Sequence, residues 1–310
     1  MERVHAYSLF GWRLRSERAL PFLHPAEADD AGSWDVEVRF GPVLRPDAPV
    51  VCSTPFSTVY ADGVVVFVRP EGIRVRIEAG RRLTVDADPG VTPAELHTWL
   101  FGPPLVVLCH QRGQPPLHAG VLDINGRGVA LAGHAGAGKS TTARALMTRG
   151  YRLLTDDQAV IEPGNRLAYA GYPSMKLWEN SAAAFGDTMD PAFRVKRGFG
   201  KFHLPLTDVF VPEPVPLALV LVLQAAPELT HPTLVEATRA QAATLLHNHV
   251  SGAHFVTALD RGQAALDWAA TLACRVPVRI LRRPDDLARL DALCGTVEAV
   301  LRTVIKENGE

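Results

Sequence analysis

Apolar and polar residues alternate through Trp34-Asp35-Val36-Glu37-Val38-Arg39-Phe40, the two-residue period of a half-buried strand. Two apolar runs, Val64 to Val68 and Ile73 to Ile77, flank Arg69-Pro70-Glu71-Gly72, which predicts a hairpin closed by a turn. Arg82 to Val85 adds a further strand. Prolines at Pro42, Pro46, Pro49 and Pro55 interrupt the alternation and predict loops. The first hundred residues therefore read as β-rich.

The period changes at Thr92. Thr92-Pro93-Ala94-Glu95 has the form of a helix start, with Thr92 as N-cap, Pro93 in the first helical position and Glu95 in the third. This helix is expected to run to about Phe101 and to end at Gly102-Pro103-Pro104, with Leu105 to His110 restarting it. Strand and helix patterns then alternate. Strands are expected at Gly128 to Ala132, Tyr151 to Leu154 and Leu217 to Leu223. Helices are expected at Lys139 to Arg149, stopped by Gly150, and at Arg239 to His247, Gln263 to Ala273 and Asp286 to Val304. The fold class read from this order is α/β, with a smaller β-rich N-terminal domain over residues 1–90 and an α/β domain over 91–310.

Composition narrows the function. A hydrophobic share of 47%, a charged share of 21% and a net charge of -1 over 310 residues give no electrostatic reason for a nucleic-acid or membrane partner. No run of about 18 apolar residues occurs, and the N-terminus, with Glu2, Arg3, His5, Arg13 and Arg15, has no signal-peptide core. The cytoplasm is the expected compartment, and self-association as a homo-oligomer is left open. The four cysteines are scattered and form no Cys-x-x-Cys pair, which argues against a zinc ribbon or a disulfide scaffold.

The sharpest chemical signal is Gly133-His134-Ala135-Gly136-Ala137-Gly138-Lys139-Ser140, a complete G-x-x-x-x-G-K-[ST] phosphate loop followed by Thr141. Its glycines let successive backbone N–H groups turn toward phosphate oxygens, and the following helix adds the positive end of its dipole. Lys139 can reach the β- and γ-phosphates and the Ser140 hydroxyl can ligate Mg²⁺, so ATP and Mg²⁺ are the expected ligands. Asp156 and Asp157 follow the next apolar strand. At the end of that strand one carboxylate, Asp156, can organise the metal, and the other, Asp157, can take a proton from an attacking hydroxyl. The plainer alternative is a turn in which either residue caps local backbone. His118 could orient an acidic partner or touch phosphate, or could be a structural histidine bonded to backbone.

Taken together, His118-Ala119-Gly120-Val121-Leu122-Asp123, the phosphate loop and Arg149-Gly150-Tyr151-Arg152-Leu153-Leu154-Thr155-Asp156-Asp157 resemble the catalytic domain of bacterial HPr kinase/phosphorylase. The resemblance implies a phosphoenolpyruvate-carboxykinase-like P-loop fold and phosphoryl transfer from a nucleotide to a serine hydroxyl. It also implies catalytic roles for His118, Asp157 and Lys139, a phosphate and metal role for Ser140, and Asp156 as a further acid near the metal. In place of that family's later Glu-Ile-Arg-Gly-type segment stand Gly171-Tyr172-Pro173-Ser174-Met175-Lys176-Leu177-Trp178 and the basic stretch Arg194-Val195-Lys196-Arg197 with Lys201. This pattern resembles HPr-kinase-related proteins of peptide-tailoring systems, among them kinases of the C-terminal serine of lasso-peptide precursors. A peptide or small protein carrying a serine is the partner so implied.

The basic stretch reads either as a solvated loop or as a clamp for the γ-phosphate or for an acidic or C-terminal carboxylate on the substrate. Lys201 and Arg197 are the clamp residues named, Lys201 because the related kinases carry a lysine about there. His247 and His249, two apart on a helix, do not face each other, so no metal site is read from them or from His254. Trp178 and Trp268, in apolar context, are read as core or interface residues. Two functions remain: a Mg-ATP-dependent serine kinase, or a nucleotide-dependent switch module that recruits a peptide precursor without phosphorylating it. A switch needs only nucleotide and metal ligands; a kinase also needs a base such as Asp157 beside the incoming hydroxyl.

Overall fold

A computed structural model describes residues 4–26 and 33–307. Glu2 and Arg3, and the outer ends of both expected domain spans, lie outside the described residues.

The N-terminal part is one nine-stranded sheet. Its strands are β1 (His5–Leu9), β2 (Trp12–Ser16), β3 (His24–Pro25), β4 (Val36–Phe40) and β5 (Val50–Ser53). They continue with β6 (Ser57–Tyr60), β7 (Val65–Arg69), β8 (Ile73–Glu78) and β9 (Arg82–Ala87). The order across the sheet is β3-β1-β2-β4-β9-β8-β7-β6-β5. The expected hairpin is β7–β8, and the proline-rich stretches are largely loops. The β1–β2 turn carries positive φ at both Phe10 (53°) and Gly11 (76°). A bulky residue rarely accepts that conformation. Phe10 is held in it by burial, at 1% exposure, and by its N–H donating to the Ala170 carbonyl at 2.7 Å.

Helix α1 (Pro93–Leu100) begins with the capping box written in the sequence. Thr92 Oγ1 accepts from the Glu95 N–H at 3.2 Å, and the Glu95 carboxylate accepts from the Thr92 N–H at 3.0 Å. Helix α2 (Pro103–Gln111) follows at once. The sequence reading grouped both helices with the catalytic part. In the structure their apolar residues, including Leu100, Leu105, Val107 and Leu108, share the core of the N-terminal sheet and pack on β8. Seven successive residues of α2 are buried, so it has no polar face from which its packing partner could be read. Val160, Tyr172 and Phe255, from the second part, enter the same core.

The second sheet holds the phosphate loop. It contains β10 (Ala119–Ile124), β11 (Arg127–Ala132), β12 (Arg152–Thr155), β13 (Ile161–Glu162) and β14 (Leu167–Ala168). A separate two-stranded ribbon is formed by β15 (Ser174–Trp178) and β16 (Lys201–Pro205). Strands β17 (Val215–Ala225), β18 (Thr233–Glu236) and β19 (Val278–Arg283) complete the main sheet, ordered β12-β10-β11-β17-β14-β13 with β19 and β18 continuing from β17. Pairs β11–β17 and β17–β19 are parallel. From Leu219 onward, beyond an irregularity in the pairing with β11, alternate residues of β17 enter different cores. Leu219, Leu221 and Leu223 meet α3 (Lys139–Met147) and α8 (Leu290–Glu307). Leu217, Val220 and Val222 meet α5 (Arg239–Asn248) and α7 (Gly262–Ala273). A strand covered on both faces needs apolar residues at every position, and that is why Leu217 to Leu223 shows no alternation. The helix expected over Asp286 to Val304 divides into a short 3₁₀ turn at Leu287–Arg289 and α8.

The ribbon β15–β16 lies over the end of the second sheet, beside the short helix α4 (Glu179–Ala184). Two strands alone are marginal in water, so the ribbon needs a brace. The N-terminal part supplies it. Thr98 Oγ1 on α1 lies 2.7 Å from His203 Nε2, the Phe22 ring stacks on the His203 ring at 4.9 Å, and His97 closes the cluster.

Two outcomes follow from this packing. A chain beginning at Ala87 loses the sheet that covers Leu100, Val107 and Leu108, and is expected to elute as aggregate rather than monomer in size-exclusion chromatography. Burial first, then the Lys176 charge, holds His203 at about 3, and burial also keeps His97 well below its ordinary range. Both rings are neutral in the folded protein, so protons are taken up on unfolding below the unfolded value of about 6.5. Stability should therefore fall as pH drops from about 6.5 toward 5, by up to about 1.4 kcal/mol per pH unit for each ring. Urea titrations at stepped pH should show this slope reduced in His97→Phe.

Candidate active site

The phosphate loop leaves β11 at Gly133, whose φ of 145° is one that only glycine adopts freely. A Cβ there would stand 2.9 Å from the Leu223 carbonyl oxygen. Gly138, at φ 88°, turns the chain into α3, and a Cβ on it would meet the Arg283 guanidinium at 2.5 Å. Arg283 ends β19 and is buried behind the loop. Its Nε donates to the Ala137 carbonyl at 2.8 Å, and its Nη1 to Pro284 O at 2.9 Å. The last strand of the sheet thus fixes the back of the loop. Lys139 Nζ donates to the carbonyls of Gly133 (2.7 Å) and His134 (3.1 Å) and lies 3.0 Å from His118 Nε2. Burial pulls the Lys139 ammonium down from its ordinary range, while Asp157 and Asp156 resist.

Strand β12 delivers the two aspartates. Asp156 is buried; its Oδ1 accepts from the Ser140 hydroxyl at 3.3 Å and its Oδ2 from the Lys176 N–H at 2.9 Å. Asp157 has a left-handed backbone, φ 71°, the kind of strain that a surrounding structure must enforce. Its Oδ2 accepts from Lys176 Nζ at 2.5 Å, and its Oδ1 lies 3.4 Å from His118 Nδ1. His118 Nδ1 also lies 3.0 Å from the Asp157 carbonyl. One neutral tautomer satisfies both neighbours: Nδ1–H donates to the carbonyl, and the Nε2 lone pair accepts from Lys139. Burial, and then the Lys139 charge, lower the His118 value in keeping with that neutral ring.

The two carboxyls are pushed apart. Burial first, and then the charge on Asp157, raise Asp156. Burial also opposes ionisation of Asp157, but the Lys176 ammonium outweighs it and holds Asp157 far below the usual carboxylate range. Lys176 is raised in turn, because Asp157 overcomes its own burial. Ser140 Oγ and Asp156 Oδ1 are hard oxygen donors facing one space, which suits a small divalent cation that takes its other ligands from phosphate and water. Among the described residues no group of three acidic, histidine or cysteine side chains could hold an ion alone.

These groups line one cavity of about 810 Å³. It brings together His118, Ala135, Gly136, Gly138, Lys139, Ser140, Thr141, Asp156, Asp157 and Lys201 of the expected site. Gly133, His134 and Ala137, also of the loop, do not line it: Gly133 and Ala137 are buried, and His134 is exposed beside His249. Arg197 is not brought in: its guanidinium donates to Gly90 O at 3.0 Å, and its N–H donates to Glu95 Oε1 at 3.2 Å. The capping carboxylate of α1 has a second oxygen to offer, and that draws the basic stretch toward the N-terminal part; Lys196 likewise pairs with Glu71 at 2.7 Å. The two tryptophans differ. Trp268 is buried, its Nε1–H donating to Ile161 O at 2.9 Å, whereas Trp178 is 47% exposed at the cavity and is no core residue. Among the histidines, the His249 carbonyl accepts from the His118 N–H at 2.7 Å, while His254 lies 3.7 Å from Cys52 Sγ.

Two residues of the site had no role in the sequence reading, Lys176 and Arg283. Lys176 lay inside a quoted segment, but a lone lysine in a short strand carries no sign of its partner 19 residues away. Arg283 sits 146 residues beyond the carbonyl it holds, and no motif marks it.

Residues 113–179 match the family described as the HPr Serine kinase C-terminal domain. The HPr kinase/phosphorylase of Shouchella clausii (strain KSM-K16) is 44% identical over 57 residues, 18% of this chain and 18% of that protein. That of Clostridium beijerinckii is 46% identical over 46 residues, 15% of each. The matched chain thus spans under a fifth of the length of these relatives. The solved HPr(Ser) kinase/phosphatase from Coxiella burnetii aligns over 63% of this chain and 99% of its own, at 16% identity and a TM-score of 0.32. The chain is similar to HPr kinases over the stretch that holds His118, the phosphate loop, Asp156 and Asp157.

Lys176 and Asp157 form a part-buried ion pair, and removing one partner strands the other. Lys176→Met should destabilise the fold in urea titrations, by less than the roughly 3–5 kcal/mol of a fully buried pair. The double variant with Asp157→Asn should recover much of that loss. A double variant no more stable than Lys176→Met alone would show that the pair does not carry the coupling.

Proposed function

We propose that this chain is an ATP-dependent serine kinase acting on a peptide or small protein, with a phosphoenolpyruvate-carboxykinase-like P-loop unit as its catalytic part. The observation that carries the reading is the position of Asp157, ionised, in the same cavity as Lys139 and braced by His118 and Lys176. A nucleotide switch needs a phosphate loop and a metal ligand, but has no use for a carboxylate poised beside them.

The roles follow from reach and charge. The loop N–H groups and Lys139 hold the β- and γ-phosphates, releasing Lys139 from the Gly133 and His134 carbonyls. Ser140 and Asp156 would hold Mg²⁺, which neutralises phosphate charge when bound. Asp157 receives the proton as the serine oxygen bonds to phosphorus and the bond to the bridging oxygen breaks. Asp157 is a weak base, so it accepts that proton late, when the hydroxyl has already become acidic by bonding to phosphorus. His118 keeps the Asp157 backbone in its strained turn. Lys201, at the cavity, serves as the clamp for phosphate or a substrate carboxylate. The N-terminal unit, extended through α2 on the packing above, supports peptide use, and the cytoplasm is the proposed compartment. The likeness of the Tyr172–Trp178 and basic segments to those of peptide-tailoring kinases directs the search to precursors of lasso-peptide type ending in serine rather than to HPr.

The test is transfer itself. Wild-type protein with Mg-ATP and serine-terminated precursor peptides should give phosphopeptide by mass spectrometry. Asp157→Asn should keep calorimetric Mg-ATP binding yet slow transfer by roughly 10²–10⁴-fold. Asp156→Asn should weaken Mg²⁺ affinity, Lys139→Ala should abolish turnover, and His118→Ala should fall between. Full transfer by Asp157→Asn would remove that residue from the mechanism; ATP binding without any phosphopeptide would favour the switch.

A further inference from the structure

Side chains two apart on a strand share a face, about 7 Å from one another. Lys176 points from β15 to Asp157, so Trp178 extends the same face outward from the reacting position. Trp178 and Lys201 are cross-strand partners, and both line the cavity with Asp157. Burial could not explain Trp178, because it is 47% exposed. Phe199, on the loop before β16, is also 47% exposed, and the two rings stack at 5.8 Å with 29° between their planes. Neither ring belongs to an apolar core of the described residues. Phe56, another exposed aromatic ring, is covered by the Arg69 guanidinium at 4.0 Å. The Trp178–Phe199 pair, each ring about half exposed, therefore presents an apolar surface at the mouth of the site, with the Lys201 ammonium beside it. Lys201 Nζ stands 5.8 Å from the Trp178 ring centroid and makes no ion pair among the described residues.

We infer that Trp178 and Phe199 form an acceptor-side shelf, which takes a bulky apolar or aromatic side chain one or two residues from the phosphorylated serine. The inference rests on the kinase reading above and adds to it the kind of peptide used. The occupant is a peptide rather than a small alcohol, because the shelf lies a strand repeat beyond Lys176, whose ammonium holds Asp157, and a chain spans that separation. Charge complementarity favours a peptide that also carries a carboxylate near its serine, opposite Lys201. Such a peptide gains ring contact and area burial at the shelf while its hydroxyl meets Asp157.

The test uses the full chain and synthetic nonapeptides with one serine, an adjacent glutamate, and Phe, Leu or Ala within two residues of the serine. In wild type, kcat/KM should favour Phe over Ala by about tenfold, the size expected of one aromatic contact with its buried area. In Trp178→Ala this ratio should approach one, while the Kd for Mg-ATP stays unchanged; Trp178→Phe should retain most of the preference. Calorimetric binding of the same peptides to Asp157→Asn, with and without Trp178→Ala, reads the shelf without transfer. Transfer with an unaltered Phe-to-Ala ratio in Trp178→Ala, or with no preference in wild type, overturns the shelf and leaves the kinase reading in place. Trp178-dependent binding of the Phe peptide without phosphorylation by wild type keeps the shelf and overturns the kinase reading. Absence of both binding and transfer, with Mg-ATP bound, overturns the shelf.

Discussion

Adjacent carboxylates shielded from water repel each other and lose hydration, so they remain ionised only if a cation is built in beside them. Asp156 and Asp157 set this requirement at the end of β12, and Lys176 meets it with both of its donors. Its backbone N–H goes to Asp156 and its ammonium to Asp157. Most of the local architecture can be traced from there. Lys176 arrives from a strand that is not part of the main sheet, whose β12 edge is taken by the bridge from Leu153 to Phe210. The two-stranded ribbon provides that strand. A ribbon of this kind has little stability of its own, and so the contact of His203 with Thr98 and Phe22 becomes a condition of the active-site geometry rather than an ornament of the interface.

The N-terminal sheet consequently belongs to the site although it contributes no side chain to phosphate chemistry. Phe10 donates to Ala170, Tyr172 lies in the N-terminal core, and four residues later the chain reaches Lys176. The strained turn at Phe10 and the strained residue at Asp157 lie at opposite ends of this path. Phe10 is held by a carbonyl from the second part of the chain, and Asp157 by His118 and Lys176 from its own part; surroundings of this kind keep unfavourable backbone in place.

What could be read from sequence was what is local. The phosphate loop and the Thr92–Glu95 capping box specify their own geometry within a few residues, and both were legible as written. The buried strand at Leu217 to Leu223 was legible because covering on both faces leaves its mark in composition. The β1–β2 hairpin was not, since its turn uses Phe10 where a glycine or asparagine would have announced it. Nor was the ownership of α1 and α2, because an all-round apolar helix does not say which sheet it covers. Arg197 was misplaced for a related reason: a basic run marks surface charge, but the acidic group it finds is set by tertiary structure. Trp178 read as core or interface from its apolar neighbours in sequence; a strand alternates and turned it outward, which excludes the core.

The bond from Arg283 to the Ala137 carbonyl spans 146 residues, and it has a consequence for the order in which the protein can be made. A ribosome that has just released the phosphate-loop motif must translate for on the order of ten seconds more before β19 emerges to back it. During that interval the nascent chain displays the glycine-rich sequence without its guanidinium support and without the parallel neighbour of β17. The backing of the phosphate loop is thus tied to completion of nearly the whole polypeptide. A truncated translation product ending before residue 283 would carry the phosphate-loop sequence without the guanidinium that holds its back.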